Sequence, residues 1–311
     1  MAAIGTGLSL PLVLKLLRYR SVFDVPNDRS SHASVTIRGG GVAMVLPGMI
    51  GLSLLDRSGT EFIAGFLGLM LLAGTGLRDD ISPMSVRYRL LAQIIAGLSI
   101  GWGVSGQLLG AVLSAVFVAA VVNAFNFMDG VNGISSFTMA IAGGAYIALG
   151  QSASSLDLQV VGAVAAGVGI GFLPFNFPNA RVFLGDAGSY FCGGLLALAT
   201  ILAIDSGVGF FAALTPVGLY GFDTAFTIAR RAGRGERPGA AHREHVYQRV
   251  AQLRGHVWAT ATASLASLLI VLVGIWNGFD QTAPSVLSVA LIVVVLAGYA
   301  SLPHLISPEV V

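Results

Sequence analysis

Long apolar stretches follow one another along the whole chain, most near the length that crosses the ~30 Å hydrocarbon core of a bilayer. They fall near residues 2–18, 41–55, 61–77, 90–106, 108–124, 134–149, 158–176, 189–204, 208–229, 258–276 and 284–302. The pattern predicts an all-α, polytopic integral membrane protein of about eleven transmembrane helices. With no internal repeat, Pro-rich linker or low-complexity tract, residues 1–311 read as a single integral domain. Small-residue runs such as "GAVAAGVGIGF" (162–172) let helices approach closely in lipid, which accounts for much of a content of 41 glycines.

Composition agrees. With 55% hydrophobic and 10% charged residues and a mean hydropathy of +0.82, the chain has more apolar surface than one soluble core could hide. The single cysteine, Cys192, excludes a disulfide framework or paired-thiol metal site and reads as packing. In "MAAIGTGLSLPLVLKLLRYR" the positive charges follow the apolar run, the reverse of a secretory signal, so this segment is expected to stay as the first helix.

If that helix starts outside, the connections at 19–40, 78–89, 125–133, 177–188 and 230–257, with the C-terminal tail, share one side. All seventeen Lys and Arg except Arg57 lie in or beside these segments. The positive-inside rule then makes that side cytoplasmic.

The polar motifs gather in the same connections. "LAGTGLRDD" (72–80) ends an apolar run on Asp79 and Asp80, and adjacent carboxylates at an apolar boundary repel unless a cation relieves them. A pair of solvated caps beside Arg78 is the plainer reading. In "NAFNFMDGVNG" (123–133), Asn123, Asn126, Asp129 and Asn132 recur every third residue, along one side of a helix end, where interhelical hydrogen bonding is the alternative to a site. In "FNFPNARVFLGDAGS" (175–189), Asp186 stands between two glycines at a helix start, suited to metal ligation or to capping.

"PNDRSSHASVTIRGGG" (26–41) and "RRAGRGERPGAAHREHVYQRV" (230–250) supply basic residues for an anionic substrate, though basic loops beside a leaflet also arise from topology and anionic lipid. His242 and His245 lack a third His or Cys that would make a zinc site, so phosphate contact suits them better.

"PNDRSSH" with "RGGG", the "DD" closing the third segment, "NAFNFMDGVNG", "GDAGS" and "HREH" resemble, in order and spacing, the motifs of the polyprenyl-phosphate N-acetylhexosamine-1-phosphate transferases, over about residues 24–250. The wording looks closest to members that start O-antigen or related surface glycans. The resemblance implies eleven spans in the bacterial inner membrane and an active site on the cytoplasmic face. It implies transfer of an N-acetylated sugar-1-phosphate from a UDP-sugar to undecaprenyl phosphate, releasing UMP. It implies Mg²⁺, with Mn²⁺ as a substitute, held by Asp186 and Asp80. Asp79, Asp80, Asp129 and His245 fall to the catalytic set. Asn27, Arg29, His32, Arg38, Asn123, Asn126, Asn132, Asn176, His242 and Arg243 fall to substrate binding. Partners are these two substrates and the bilayer, with no nucleic acid and with room for a homodimer.

A phosphomonoester is mostly dianionic at neutral pH, so Asp79 is expected to position rather than to act as an essential base. The sequence departs from the family pattern at Asn132, where many relatives carry Asp, and at Tyr247 and Gln248, where others carry His. Ser30 and Ile37 replace Lys and Pro. Asp223 matches a recurrent Asp but takes no role. A proton-coupled carrier with intramembrane acids is the alternative; it would favour acids near the midplane and two related halves, whereas these acids gather at one face.

Overall fold

The computed structural model describes residues 1–20, 23–24, 35–55, 60–237, 242–278 and 284–307. Among these, twelve helices form: α1 Ala2–Tyr19, α2 Val42–Leu52, α3 Thr60–Ile81, α4 Val86–Ser105, α5 Leu108–Met128, α6 Ile134–Ser152, α7 Leu156–Asn176, α8 Gly185–Asp205, α9 Phe210–Ala232, α10 Val246–Arg254, α11 His256–Gly278 and α12 Val286–Leu305. Each of the eleven predicted segments overlaps one helix. α10 is the addition: nine residues inside a connection read as a basic loop.

The protein is an all-α, multi-pass membrane protein. Six helices, α3, α5, α7, α8, α11 and α12, are long and apolar enough to cross a bilayer. α2 has 11 residues, about 16 Å at 1.5 Å each, short of a full crossing. The extended element, which the hydropathy pattern did not foresee, is a two-residue antiparallel ribbon of β1 Phe23–Asp24 and β2 Thr36–Ile37.

α8 is the central post, packed against α3, α4, α5, α6, α7 and α9. Of its apolar window 89% is buried, against 17% for α12. Small residues make this possible: Gly193 and Gly194 sit where a Cβ would meet the α5 backbone at Val122 and the Leu72 side chain of α3. Pro216 inside α9 removes one backbone donor, and the Thr215 hydroxyl donates instead to the Ala212 carbonyl at 2.8 Å.

Side-chain contacts join the C-terminal ends of α3, α5 and α7 to the N-terminal ends of α4, α6, α8 and α11, and Asp223 within α9 meets the start of α10 and Tyr299 of α12. The polar motifs therefore meet at one end of the bundle.

Candidate active site

The site is built on a short backbone ladder. The segment after β2 runs beside residues 182–184: Phe183 N donates to the Ile37 carbonyl (2.8 Å), Gly40 N to the Phe183 carbonyl (2.9 Å) and Gly41 N to the Leu184 carbonyl (2.8 Å). The approach leaves no space for side chains, since a Cβ on Gly41 would lie 2.2 Å from the Gly188 Cα. Gly185 turns the chain into α8 at φ +73, in the left-handed region, where a Cβ would lie 2.7 Å from Asp80. Arg38 is thereby fixed over the α8 N-terminus.

Asp80 caps that terminus. Its Oδ1 accepts from Asp186 N and its Oδ2 from Ala187 N, both at 2.9 Å, and Arg38 Nε donates to Oδ1 at 2.9 Å. These are two of the amides a helix start leaves without internal partners. Arg38 also reaches Asp186 Oδ2 at 3.0 Å. Burial works against the Arg38 charge, but Asp186 and Asp80 outweigh it and hold the guanidinium above its ordinary pKa. Asp186 Oδ1 accepts from Asn126 Nδ2 at 2.8 Å, and the same amide reaches the Ser189 hydroxyl at 2.9 Å. Asp79 closes the α3–α4 turn, taking Met84 N at 2.5 Å and pairing with Arg89 at 3.0 Å.

A cleft of about 580 Å³ opens beside this cluster, lined among others by Arg38, Asn126, Asp129, Asn132, Asn176, Asp186, Arg243, Gln248, Gln252 and His256. Asp129 accepts from the Ser135 hydroxyl at 2.5 Å. Partly open to the cleft but crowded by protein, its carboxyl is pushed up to about 7, first by desolvation and then by the charge of Asp186, with the Ser135 bond opposing.

The other expected residues divide. Asn176 lines the cleft, yet its amide is spent on the fold, accepting from Gly133 N at 2.6 Å and donating to the Val182 carbonyl at 2.9 Å. One Asn132 N–H goes to the Pro178 carbonyl at 2.8 Å. Asn123 turns away and donates to Gln93 of α4 at 2.6 Å, the interhelical bond that was the alternative reading. His245 lies outside the cleft lining, 3% exposed, with Nδ1 3.2 Å from Asp223 and its ring stacked on Phe127. His242 tilts against His245; burial, then His245 and Arg231, lower its pKa. Asn27, Arg29 and His32 lie outside the described residues.

Residues that sequence reasoning left without a role hold α10 in place. The fully buried Asp223 accepts from Val246 N (3.0 Å), Tyr299 Oη (2.9 Å) and Thr227 Oγ1 (3.1 Å). Tyr247 donates to the Phe127 carbonyl at 2.8 Å, its hydroxyl over Gly130, where a Cβ would stand 2.3 Å away. The anchored helix brings Gln248 and Gln252 to the cleft, and His256 follows at the start of α11. The His-x-x-His spacing signalled this loop but not which of its side chains face the cleft.

Among the described residues, no three His, Cys, Asp or Glu side chains converge as in a protein-only metal cage. Mg²⁺ commonly takes one or two carboxylates and leaves its other positions to water and phosphate, so the hard oxygens of Asp186 on the cleft wall fit that mode. Asp80, its side chain 1% exposed against 13% for Asp186 and both of its oxygens accepting backbone N–H groups, is committed to the helix end.

The family model described as glycosyl transferase family 4 matches residues 62–204. The chain is 26% identical over 269 residues to an undecaprenyl-phosphate alpha-N-acetylglucosaminyl 1-phosphate transferase of Thermotoga maritima, covering 84% of this chain and 81% of that one. It is 28% identical over 309 residues to a decaprenyl-phosphate N-acetylglucosaminephosphotransferase of Mycobacterium tuberculosis, covering 82% and 75%. A phospho-N-acetylmuramoyl-pentapeptide-transferase of Rubrobacter xylanophilus is 30% identical over 196 residues, covering 52% and 59%. With a multi-pass helical fold and a cleft of carboxylates, arginine and amides at one end, the protein is a membrane-embedded phosphoglycosyl transferase. Over most of its length the chain is similar to polyprenyl-phosphate N-acetylglucosamine-1-phosphate transferases.

Proposed function

We propose that the protein transfers an N-acetylated sugar-1-phosphate from a UDP-sugar to undecaprenyl phosphate at the cytoplasmic face of the bacterial inner membrane, starting a lipid-linked surface glycan of the O-antigen type. An oxygen of the lipid phosphate attacks the sugar-bearing phosphorus. The bond to the bridging oxygen breaks, UMP leaves, and one phosphoanhydride replaces another. A dianionic phosphate needs no proton removed, so buried Asp79, paired with half-exposed Arg89, positions rather than abstracts. The observation that carries this reading is Arg38 held across Asp80 and Asp186 at the α8 N-terminus, a fixed arginine and the Asp186 carboxylate together on the wall of an open cleft. Mg²⁺ bound at Asp186 would neutralise diphosphate charge.

An apolar pocket of about 270 Å³ between α5 and α9, lined in part by Phe117, Phe125, Val217 and Tyr220, suits an isoprenoid chain. Eleven spans with the N-terminus outside, α2 and its flanking turns counted as one short span, match the distribution of basic residues. The test is purified protein in nanodiscs with undecaprenyl phosphate and a panel of UDP-N-acetyl sugars, read as UMP release and lipid-linked sugar. Formation of both from at least one donor is expected; UMP from none of them would refute the reading.

A further inference from the structure

The connection at 230–257 holds more cations than its two acids, Glu236 and Glu244, can pair. At the end of α9, Arg230 Nη2 donates to the Glu244 carbonyl at 2.7 Å and to its Oε2 at 3.3 Å, and Arg234 bonds the same Oε2. Glu236 takes Arg231 Nε at 2.8 Å and Arg234 Nε at 2.9 Å. Both carboxylates are thereby engaged.

Arg249 of α10 is left over. It is half-buried, and among the described residues its side chain makes no ion pair or hydrogen bond. Burial and the charge of Arg230 hold it below its ordinary pKa; Glu244 offsets part of this and Arg234 adds to it. Arg230 Nε also lies buried without a hydrogen-bond partner. Unmatched donors and like charges in partial burial call for an anion.

The position says which anion. α10 turns Gln248 and Gln252 to the cleft, and Arg249 is outside that lining. One turn on from Arg249, Leu253 is exposed, and the chain then enters α11, an apolar span that starts with Val257 and Trp258 exposed. Tryptophan concentrates at the membrane–water boundary, the level of phospholipid headgroups. We propose that Arg249, with Arg230 and Arg234, binds the phosphate of an anionic phospholipid headgroup at a site separate from the cleft. Guanidinium forks match phosphate oxygens, and the exposed apolar residues suit the rest of the lipid. A zwitterionic headgroup would bring its own cation to a cluster already in surplus.

The test follows thermal unfolding of the full chain in detergent micelles titrated with short-chain phosphatidylglycerol, with the matching phosphatidylcholine, or with inorganic phosphate. Phosphatidylglycerol should raise Tm saturably, as a ligand of the folded state does, and the other two should not. Arg249→Gln should weaken the apparent affinity by about fivefold, the equivalent of about 1 kcal/mol for one arginine at a lipid surface, and Arg249→Lys should recover part of it. Arg87→Gln, at an exposed arginine of α4, should match wild type. Without lipid, Arg249→Gln should unfold no earlier than wild type, since no partner is lost.

Unchanged affinity in Arg249→Gln would overturn the inference, and an equal loss in Arg87→Gln would do so by making the effect a general attraction to the leaflet. Inorganic phosphate acting as strongly as phosphatidylglycerol would replace the lipid by a free anion, and phosphatidylcholine acting as strongly would remove the role of charge; each overturns it. A lipid-free Arg249→Gln protein that unfolds earlier would make Arg249 a support of α10 and overturn it as well. Turnover enters nowhere, so the result is independent of the proposed reaction.

Discussion

Asp80 and Asp186 both stood as metal ligands from the sequence, and the geometry separates them in a way that thermal unfolding can read. In Asp80→Asn one oxygen becomes an NH₂, so one α8 amide now faces a donor, at about 1–3 kcal/mol for an unsatisfied buried group. Losing the charge pair with Arg38, whose side chain is 38% exposed, adds up to about 1 kcal/mol. Removing a negative charge beside Asp186 returns a similar amount. The net loss of about 1–3 kcal/mol corresponds to a fall of roughly 2–5 °C in Tm for a chain of this size.

In Asp186→Asn the remaining carbonyl can still accept from Asn126 or Arg38, and repulsion from Asp80 is relieved. The donor left facing the new NH₂ is a side chain that can turn away, not a backbone amide, so Tm should fall by less than in Asp80→Asn, while the proposed loss of the metal ligand lowers turnover by orders of magnitude. Thermal shift in detergent beside the UMP assay distinguishes the two. An Asp80→Asn protein as stable as wild type, or an Asp186→Asn protein equally destabilised, would refute the division of roles.

Chelation should abolish turnover and added Mg²⁺ or Mn²⁺ restore it; full activity in excess EDTA would remove the metal from the reaction. Asp129 carries a proton in the folded state up to about pH 7, whereas an unfolded carboxyl releases it near 4, so its contribution is fully present below pH 4 and is lost as pH rises through 7. With EDTA present, Asp129→Asn should therefore raise Tm at pH 8, by an amount worth no more than about 4 kcal/mol, and the gain should shrink towards pH 5; a pH-independent difference would count against this. Reporter fusions after Arg20, Arg87, Gly133, Ala187 and Arg243 should report the cytoplasm, and fusions near Asp157 and Asp205 the outside. One motif loop on the outer side would break the single-face site.

Helices were legible because lipid and protein interior both demand runs of apolar residues, and the eleven predicted runs each overlap a helix. The exception is informative: α10 is amphipathic, short and flanked by arginines, so hydropathy passes over it. Boundaries slipped where helices extend into polar sequence, as at α8, which begins at Gly185 and so takes Asp186 into its first turn. Residue types and spacing flagged Asp79, Asp80, Asn126, Asp129 and Asp186. They could not assign partners 60 to 124 residues away, such as Asn126 with Asp186 or Asn132 with His256. Asp223 and His256 gave little sign for the same reason, since each gains its role from a contact with another helix.

The contrast between α8 and α12 bears on how the chain tolerates change. By hydropathy the two helices are similar, but every turn of α8 is pressed against protein while most of α12 faces lipid. Exchanging Leu for Ala at Leu195 or Leu196, both buried, opens a cavity worth about 2–5 kcal/mol, whereas exchanges at Val293 or Val294, both exposed, trade one apolar surface for another in lipid. A library of single substitutions selected for function should thus accept side chains of many sizes along α12 and almost none along α8. The catalytic end of the bundle would be inherited on a post that hardly drifts, wrapped in helices free to vary with the membrane around them.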